Sequence, residues 1–593
     1  MLFASQEIFR EELIALYNEH SVFFSWFTSV SRILISLISI FIVFRIARSL
    51  FRRKQSPEIW GYFNLPNGLH LPIHHWENLI GRARNCDIVM NFPTVSRNHA
   101  ILIRQEDERW RFIELDSKTG LARNEKVVKS ETIIDYGDIV KIGGVEAQLV
   151  GLTLDEKRKQ ESREIPGKEI GPALTMYLLS VLNILLGVQL SFANPSNFSF
   201  VIPLCFFLTI LVLWVYYLLM KTIGRSGFEV EQIAFFLTTI GFSVVAGAVS
   251  NGSSSGVVTK TILAMLMGII GFLFLGWLLR DVKRANLMRW PMAVAALGLL
   301  FISIVAGSVV NGAKNWIFVG GFSLQPSEFA KLCFVYAGTA TLDRLFAKRN
   351  LIMYMILTVC IGGALAYTSD FGAAIIFFVS FLFVAFMRSG DIATVSLIAL
   401  TAFLGGILLL RFKPYIAYRF ESWRYAWDYP HDGGFQQART MSASASGGLF
   451  GVGAGKGWLR NIVAADTDLV FGVVVEELGL IVGICCIACL LMLMIFSYQS
   501  ASNARSTFYV IAASTATSML VFQMILNVLG SLDIVPLTGV TFPFISNGGS
   551  SLLVCYGMLA FPKAADTRRL SSFATRREFF SVKRRGRSHE KDS

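Results

Sequence analysis

Long apolar runs dominate the pattern of hydrophobic and polar positions along this chain. The first run covers residues 22–50. The later runs begin at residue 171 and lie near 171–191, 200–220, 230–249, 260–279, 288–309, 326–344, 350–367, 371–387, 392–411, 470–497, 507–529 and 545–562. A run of about 18 or more apolar residues with few charges is long enough to cross a membrane as a helix. The pattern therefore predicts a polytopic α-helical membrane protein with about 13 transmembrane helices.

Residues 56–153 interrupt this pattern with charged residues, turn residues and short β-prone runs. Five such runs read DIVMN, HAILIRQ, RWRFIEL, DIVKIG and AQLVGL. Short runs of this kind between turns are typical of an all-β sandwich. We therefore expect a β-domain at 56–153, inserted after the first transmembrane helix. A linker rich in Lys and Glu, residues 154–170, leads back to the membrane part at 171–565.

Basic residues mark one side of the predicted membrane part. Arg45, Arg48 and Arg52 lie at the end of the first run and just after it, and residues 566–593 form a basic tail. Because cations beside membrane helices favour the cytoplasmic side, we expect segment 1–21 to be extracytoplasmic and the β-domain and tail to be cytoplasmic. The connections 311–326 and 411–468 then face outward. The first run is also too long for a cleavable signal peptide.

Composition excludes several classes of protein. The chain has 593 residues, of which 54% are hydrophobic and 16% charged, whereas soluble domains have about a quarter of their residues charged. The net charge of +13 does not indicate nucleic-acid binding, because much of the excess lies in loops and tails beside apolar runs. The eight Cys form no disulfide framework, and the seven His are scattered, so we predict no structural metal site.

Charged residues within the membrane part are candidates for function, because charge in a membrane is costly. Glu328 and Lys331 lie three apart after Pro326, on one face of a predicted helix, where they could also simply pair with each other. Asp468 precedes the 470–497 run, and an N-cap role is its alternative explanation. A glycine-rich run at 447–455 and the segment 536–551, which reads as a broken helix, complete the candidate clusters.

These clusters, in this order, resemble the SEDS family of FtsW, RodA and SpoVE over residues 230–565. The motifs are Gln-Pro-Ser-Glu-Phe-Ala-Lys at 325–331, Gly-Gly-Leu-Phe-Gly at 447–451, Thr467-Asp468 before Glu-Glu-Leu-Gly, and Pro-Phe-Ile-Ser at 543–546. The resemblance implies a bacterial cytoplasmic-membrane enzyme, a peptidoglycan glycosyltransferase that polymerises lipid II beside a class B penicillin-binding protein. It implies that Asp468, Glu328 and Lys331 are catalytic. It also implies that substrate is bound by Trp316, Arg419, Gln436, Asp370 and Ser546.

The sequence departs from that family pattern at several positions. Asp466 stands where a His is usual, Asn547 where a Tyr is usual, and Lys314 where an Arg is often found. As a mechanistic hypothesis, Asp468 takes the proton of a sugar hydroxyl as general base. Lys331, Arg419 and Arg439 would balance the departing pyrophosphate. A Mg²⁺ or Mn²⁺ ion could share that task, although no ligand set in the sequence identifies one.

The β-domain resembles the forkhead-associated (FHA) family, whose loops bind phosphothreonine peptides. The matching residues are Gly81-Arg82, Ser96-Arg97-Asn98-His99 and Ser117-Lys118-Thr119-Gly120. The resemblance implies that Arg82 and Ser96 bind the phosphate, with Arg97, Lys118 and Thr119 near the peptide and His99 bracing the loops. Thr119 replaces the usual Asn, so a fold that has lost peptide binding is the alternative. A phosphothreonine protein or a Ser/Thr kinase is the implied partner.

Two other functions remain open from sequence alone. A lipid II flippase would also need many helices and a polar cavity, but its charges should lie nearer the middle of the membrane. A non-catalytic scaffold for wall enzymes would use the β-domain alone and would not need Glu328, Lys331 and Asp468 together. The sequence does not distinguish a role in division from one in cell shape or sporulation.

Overall fold

The computed structural model describes residues 11, 12, 14, 15, 17–51, 58–105, 107, 109–115, 117, 119–128, 130–163, 171–310, 313–345, 348–389, 392, 393, 395–401, 420–501, 503–568, 571 and 573. Predicted residues Arg419 and Lys118 lie outside this set, as do most of the predicted basic tail and residues 402–411 of one predicted span.

The helices follow the apolar runs closely. They are α1 (Ser21–Phe51), α2 (Leu154–Arg163), α3 (Pro172–Ser191), α4 (Val201–Thr222), α5 (Glu229–Ser250), α6 (Gly256–Leu278), α7 (Val282–Leu287), α8 (Arg289–Ala306), α9 (Pro326–Gly338), α10 (Leu342–Leu345), α11 (Lys348–Tyr367), α12 (Phe371–Ser389), α13 (Phe435–Gly447), α14 (Val470–Leu478), α15 (Leu480–Ala501), α16 (Thr507–Ser531), α17 (Gly549–Met558) and α18 (Ala560–Ala565). Among the described residues, eight helices are long and apolar enough to cross a membrane. The count of about 13 drawn from the apolar runs stays a prediction.

Three predicted spans are interrupted in the structure. The 326–344 run is helical only to Gly338, and the short α10 follows. The 470–497 run breaks at Gly479, whose φ of 94° ends α14 before α15 begins. The 545–562 run divides into α17 and α18 at Leu559. An apolar run reports hydrophobicity and not helix continuity, which explains why the sequence alone did not locate these breaks.

The β-domain is a sandwich of two sheets, as the alternating runs predicted. One sheet has the strand order β2 (His70–Ile73), β1 (Gly61–Asn64), β11 (Val145–Val150), β10 (Ile139–Ile142), β7 (Leu121–Arg123), β8 (Lys126–Val128). The other has the order β4 (Ile88–Val89), β3 (Glu77–Gly81), β5 (Ala100–Arg104), β6 (Trp110–Glu114), β9 (Glu131–Ile134). Phe63, Trp110 and Phe112 are fully buried in the core between them.

A small antiparallel sheet replaces the predicted connection at 311–326. Its strands are β12 (Ser308–Val310), β13 (Ala313–Val319) and β14 (Phe322–Leu324). Two successive glycines, Gly320 and Gly321, both have positive φ and form the turn between β13 and β14. This sheet leads directly into α9, so it fixes the beginning of the helix that carries Glu328 and Lys331.

The β-domain contacts one end of the helical bundle. The Trp76 amide donates to the Arg505 carbonyl over 2.8 Å, just before α16 begins. We call this end of the bundle the domain end, and the opposite end the far end. At the domain end, buried ion pairs also tie Arg568 to Glu229 and Lys563 to Glu231, so α18 and the residues just after it are anchored to α5. The candidate membrane site lies at the far end.

Candidate functional site

Asp468 lies in a turn at the far end, between α13 and α14. The N-cap of α14 is Leu469, and no side chain caps that helix, so the N-cap explanation for Asp468 is not what the structure shows. The turn is closed by hydrogen bonds from the Asp468 amide and the Leu469 amide to the Ala464 carbonyl, at 2.9 and 3.2 Å. The Asp468 side chain is partly exposed and lies beside Gly539, where an added Cβ would be 3.5 Å from Oδ2. A carboxylate is therefore presented on a tightly closed turn.

Asn527, near the end of α16, holds this turn from below. Its amide nitrogen donates to the Asp468 carbonyl over 3.0 Å and to the Val540 carbonyl over 2.8 Å. The side chain is almost fully buried. One amide thus joins the Asp468 turn to the segment that passes Gly539. Asn527 could not be singled out from the sequence, because a single Asn inside an apolar run carries no motif of its own.

Ser546 and Asn547 hold the turn from the other side. The Ser546 hydroxyl donates to the Thr467 carbonyl over 2.7 Å and accepts from the Phe542 amide over 2.8 Å. Asn547 bonds twice to Asp466: its amide nitrogen donates to the carboxylate over 2.7 Å and its backbone to the carbonyl over 2.8 Å. The structure brings Ser546 next to Asp468, with its hydroxyl directed at backbone.

Glu328 and Lys331 form a buried ion pair. Their charged atoms are 2.7 Å apart, and Lys331 is only 1% exposed. The alternative reading of these residues, that they pair with each other, is therefore what the structure shows. The pair is in α9, which packs on α17. A hydrogen bond from the backbone amide of Gln325 to the Ser550 hydroxyl joins the residue before α9 to the N-terminus of α17.

Asp370, just before α12, accepts hydrogen bonds from residues of two other elements. Its Oδ2 accepts from Asn315 over 2.9 Å, Ser327 over 3.2 Å and Gln325 over 3.4 Å. Its Oδ1 accepts from the Ala373 amide, in the first turn of α12, over 3.2 Å. Asp370 therefore ties the β12–β14 sheet and α9 to α12. Of the predicted residues, Trp316 lies on β13 of the same sheet, opposite Ser308, and is partly exposed.

Gln436 and Arg439 are on α13, which lies within the connection 411–468 at the far end. The Gln436 amide donates to the Val463 carbonyl over 3.0 Å, so it ties α13 to the chain five residues before Asp468. Arg439 is exposed, with its guanidinium 5.5 Å from the centre of the Phe435 ring. Arg439 therefore presents an accessible cation one helical turn after Gln436, whereas Lys331 is buried.

The glycine-rich run packs as a loop between α13 and the Asp468 turn. Gly451 has a φ of 77°, and an added Cβ would meet the Glu477 carbonyl at 2.2 Å. Glu476 accepts from the amides of Trp458 and Leu459, at 2.8 and 3.0 Å, and Glu477 pairs with Arg460. These buried carboxylates hold the loop in shape. Arg32 of α1 also donates to the Gly451 carbonyl over 2.8 Å.

The three recognition loops of the β-domain meet at one edge of the sandwich. The Arg82 amide donates to the Ser96 carbonyl over 2.9 Å, and the Thr119 hydroxyl donates to the Thr94 carbonyl over 3.0 Å. His99 is buried and accepts from the Ser96 amide at Nδ1, so its Nε2 carries the proton that is donated to the Gly120 carbonyl over 3.1 Å. Burial lowers the pKa of His99 below its usual 6.5.

The side chains of Arg82, Arg97 and Thr119 are exposed, and Ser96 is partly buried beside them. Two guanidinium groups are thus exposed at one edge of the sandwich, and their donors are suited to phosphate oxygens. In the part of the chain that the structure describes, no three His, Cys, Asp or Glu side chains are grouped closely enough to hold a metal ion.

Comparison with known proteins decides the family. The family model for FtsW, RodA and SpoVE, described as a cell cycle protein, matches residues 228–566, more than half of the chain. The chain belongs to this family. A second family model, described as an FHA domain, matches residues 78–143. Both resemblances drawn from the sequence motifs are confirmed, and we call the β-domain the FHA domain from here on.

Individual relatives agree with the family. RodA of Mycobacterium tuberculosis, named a peptidoglycan glycosyltransferase, is 32% identical over 318 residues, covering 50% of this chain and 67% of the relative. FtsW of Bacillus subtilis, named a probable peptidoglycan glycosyltransferase, is 30% identical over 290 residues, covering 44% and 71%. A chain from a solved peptidoglycan synthase complex is 24% identical, with a TM-score of 0.46, covering 57% of this chain and 96% of that one.

Proposed function

We propose that this chain is a peptidoglycan glycosyltransferase, which polymerises lipid II into glycan strands on the outer face of a bacterial cytoplasmic membrane. The observation that carries the proposal is the Asp468 turn, which holds a partly exposed carboxylate rigidly through Asn527, Ser546 and the closed 464–469 backbone. A rigidly held carboxylate is what a general base requires. Relatives named peptidoglycan glycosyltransferases support the same activity.

In the proposed reaction, Asp468 accepts the proton of a sugar 4-hydroxyl while that oxygen forms the new glycosidic bond. The bond between the second sugar and its lipid pyrophosphate breaks at the same carbon, and the polyprenyl pyrophosphate leaves with the bonding electrons. A positioned base of this kind raises the rate by about 10²–10⁴-fold. The far end of the bundle is then the extracytoplasmic side.

The leaving pyrophosphate needs cations that are free to approach it. Exposed Arg439 is the first candidate among the described residues, and Arg419 is the second from the sequence motif. The Glu328–Lys331 pair acts as a buried positioning unit that fixes α9 against α17. Trp316, Gln436, Asp370 and Ser546 shape the substrate site, three of them through the hydrogen bonds described above. A Mg²⁺ or Mn²⁺ ion would assist by binding the pyrophosphate oxygens.

The FHA domain faces the cytoplasm in this proposal and binds a phosphothreonine protein, such as a Ser/Thr kinase or its substrate. Arg82 and Ser96 contact the phosphate, while Arg97, Thr119 and Lys118 contact the peptide.

A class B penicillin-binding protein crosslinks the strands that the polymerase makes. The scaffold and flippase alternatives both predict instead that the purified wild-type protein does not polymerise lipid II.

The test is Asp468→Asn in the full chain, reconstituted in vesicles and supplied with lipid II. We expect the rate of strand formation to fall by about 10²–10⁴-fold, because the amide cannot take up the proton. Asp432→Asn is the matched control, since Asp432 is an exposed carboxylate of the same far-end connection whose side chain holds no turn. Wild-type rates from Asp468→Asn would exclude Asp468 as the base.

A further inference from the structure

One carboxylate of the FHA domain joins two separate elements of the membrane bundle. Glu77, on β3, is 6% exposed. Its Oε2 accepts from the Leu342 amide at the start of α10, and its Oε1 accepts from the hydroxyl of Ser506, both over 2.7 Å. Ser506 is itself the N-cap of α16 and accepts from the Phe508 amide over 3.2 Å. Glu77 therefore links the beginnings of α10 and α16 through a single side chain.

Polar and aromatic contacts beside Glu77 extend this interface. Arg505 bonds to Glu58 through two nitrogens, each at 3.3 Å, and its guanidinium lies 5.3 Å from the centre of the Trp76 ring. The His75 Nδ1 is 2.8 Å from the Ala504 carbonyl. The arginine and glutamate side chains are only 7% and 11% exposed, so this ion pair is largely shielded from water. A shielded, bidentate ion pair contributes more to the stability of an interface than an exposed surface pair does.

An apolar patch completes the contact. The side chains of Leu79 and Ile101, opposite each other on β3 and β5, are buried with Leu342 of α10 in one cluster. Cys86 belongs to the same cluster, and Ala83 packs against it. An outward sheet face that buries apolar residues in this way is held against its neighbour by the hydrophobic effect as well as by Glu77.

The loop that carries the phosphate-binding residue is part of this contact. Arg82 is followed immediately by Ala83, and Cys86 lies at the end of the same loop. The Cys86 thiol donates to the Arg97 carbonyl over 3.3 Å, so it also joins the loop to the second recognition loop. A phosphopeptide that orders Arg82 and Arg97 would therefore order the residues that pack on Leu342.

The two elements joined by Glu77 lead to the far-end site. α10 is separated from α9 by only three residues, and α9 carries the Glu328–Lys331 pair. α16 (Thr507–Ser531) begins directly after Ser506 and carries Asn527, which donates to the Asp468 carbonyl. α9 and α16 are mostly buried along their lengths, so a shift at one end of either helix is not absorbed by loose packing.

We propose that the docked FHA domain is a brace on α9–α10 and α16, with Glu77 as its positioning residue, and that phosphopeptide binding tightens this brace and raises the polymerisation rate. The inference deepens the proposed function and rests on it. It implies regulation of activity, in addition to any effect on where the protein is recruited. Coupling between two binding equilibria is reciprocal. Docking must therefore strengthen phosphopeptide binding by the same factor by which the phosphopeptide strengthens docking.

The experiment uses the full chain in vesicles, with lipid II and a mixture of phosphothreonine peptides that have randomised flanking residues. In the wild type we expect the peptides to raise kcat by about fivefold without changing KM. Glu77→Ala should lower kcat, abolish this response and weaken peptide binding by about fivefold. Glu77→Gln, whose amide can still accept from Leu342 and donate to Ser506, should restore most of each property. Glu146→Ala, which removes an exposed carboxylate of the other sheet, is the control.

Hydrogen exchange at 342–345 and 504–508 verifies that Glu77→Ala is folded but undocked. Unchanged peptide affinity and unchanged kcat in that undocked variant would overturn the brace. Peptide affinity is read without lipid II, so it decides the coupling even if the wild-type chain fails to polymerise. Failure of the wild type to polymerise would instead overturn the proposed function.

Discussion

At the scale of single residues, two departures from the family pattern turn out to be partners. Asp466 and Asn547 replace a His and a Tyr that are usual in the family, and they lie 81 positions apart in the chain. In the structure the Asn547 amide donates to the Asp466 carboxylate over 2.7 Å. The two replacements therefore form one hydrogen-bonded pair, which links the Asp468 turn to segment 542–547.

A double exchange tests this pairing. Asp466→His and Asn547→Tyr, made singly, should each slow lipid II polymerisation, because each leaves an unmatched partner beside the Asp468 turn. Together they should recover part of the loss, with a coupling energy of about 1 kcal/mol from the four polymerisation rates. Strictly additive losses would mean that the two side chains act independently.

His99 makes the recognition loops sensitive to acid. Its folded pKa lies below the unfolded value of 6.5, so the unfolded chain binds the proton more readily. The stabilisation of the loops by neutral His99 is therefore fully present above about pH 6.5, and it is lost as the pH drops toward the folded pKa. We expect hydrogen exchange at 94–99 and 117–120 to accelerate at pH 5.5 relative to pH 7, after correction for intrinsic rates.

His74 has a pKa lowered by burial and acts in the same direction, so the controls must separate the two residues. Exchange at these loops should lose its acid step in His99→Gln. It should keep the step in His74→Gln and in His70→Gln, where the exposed His70 is replaced. An acid step that survives in His99→Gln would assign it to another group.

Residues of the candidate site could be singled out from the sequence where a motif contained them and not otherwise. Asp468, Glu328 and Lys331 stand in recognisable strings, whereas Asn527 does not. The burial of Lys331 was also beyond the sequence, because spacing at i and i+3 allows a pair but does not say whether a competing partner or water is nearer.

At the scale of elements, helices outside the family match support the site. α1 and α3 precede residue 228, where that match begins. Arg32 of α1 donates to the Gly451 carbonyl. The side-chain nitrogen of Gln189, on α3, lies 3.2 Å from the position that a Cβ on Gly453 would take. The glycine-rich loop between α13 and the Asp468 turn is thus packed against helices that lie outside the family match.

Removing that support should loosen the loop. Arg32→Ala deletes a charged donor to a carbonyl, a bond that contributes about 1.5–3 kcal/mol. We expect faster hydrogen exchange across 448–457 and a lower polymerisation rate with folding retained. Ser29→Ala, an exposed position on the same helix whose hydroxyl bonds only within the helix, is the control. Equal exchange in Arg32→Ala and wild type would show that α1 does not hold the loop.

Element positions were largely predictable, because apolar runs and alternating runs report burial directly. The predicted first run at 22–50, for example, corresponds to α1 at Ser21–Phe51. The strands β12–β14 were not foreseen, since a short outward segment with Gly and Lys gives no clear period of two. The break at Gly479 was missed because a glycine inside a long apolar run is common in membrane helices.

At the scale of the whole molecule, docking of the FHA domain was the feature that the sequence did not predict. The contacts join residues 265 and 429 positions apart, and no local pattern encodes such a pairing. One signal was present: Leu79, Ile101 and Ile113 line up across β3, β5 and β6, on the face away from the sandwich core. A row of apolar residues on an outer sheet face indicates a covering partner.

The proposed orientation of the molecule can be tested by labelling. In a chain whose exposed Cys360 is replaced by Ser, Asn67→Cys in the FHA domain and Asp432→Cys at the far end provide single accessible thiols. A membrane-impermeant maleimide added to intact cells should label position 432 and reach position 67 only after lysis. Labelling of position 67 in intact cells would reverse the assignment of sides.

The FHA domain is attached to the membrane part on both sides, by α1 before it and by α3 after it. Residues 52–60, between α1 and β1, can span at most about 30 Å. A domain on so short a tether meets its docking surface at an effective concentration in the millimolar range. An interface too weak to hold two separate proteins together would therefore be well occupied here. Such an interface can be released by a small change in free energy, and the domain returns without a search.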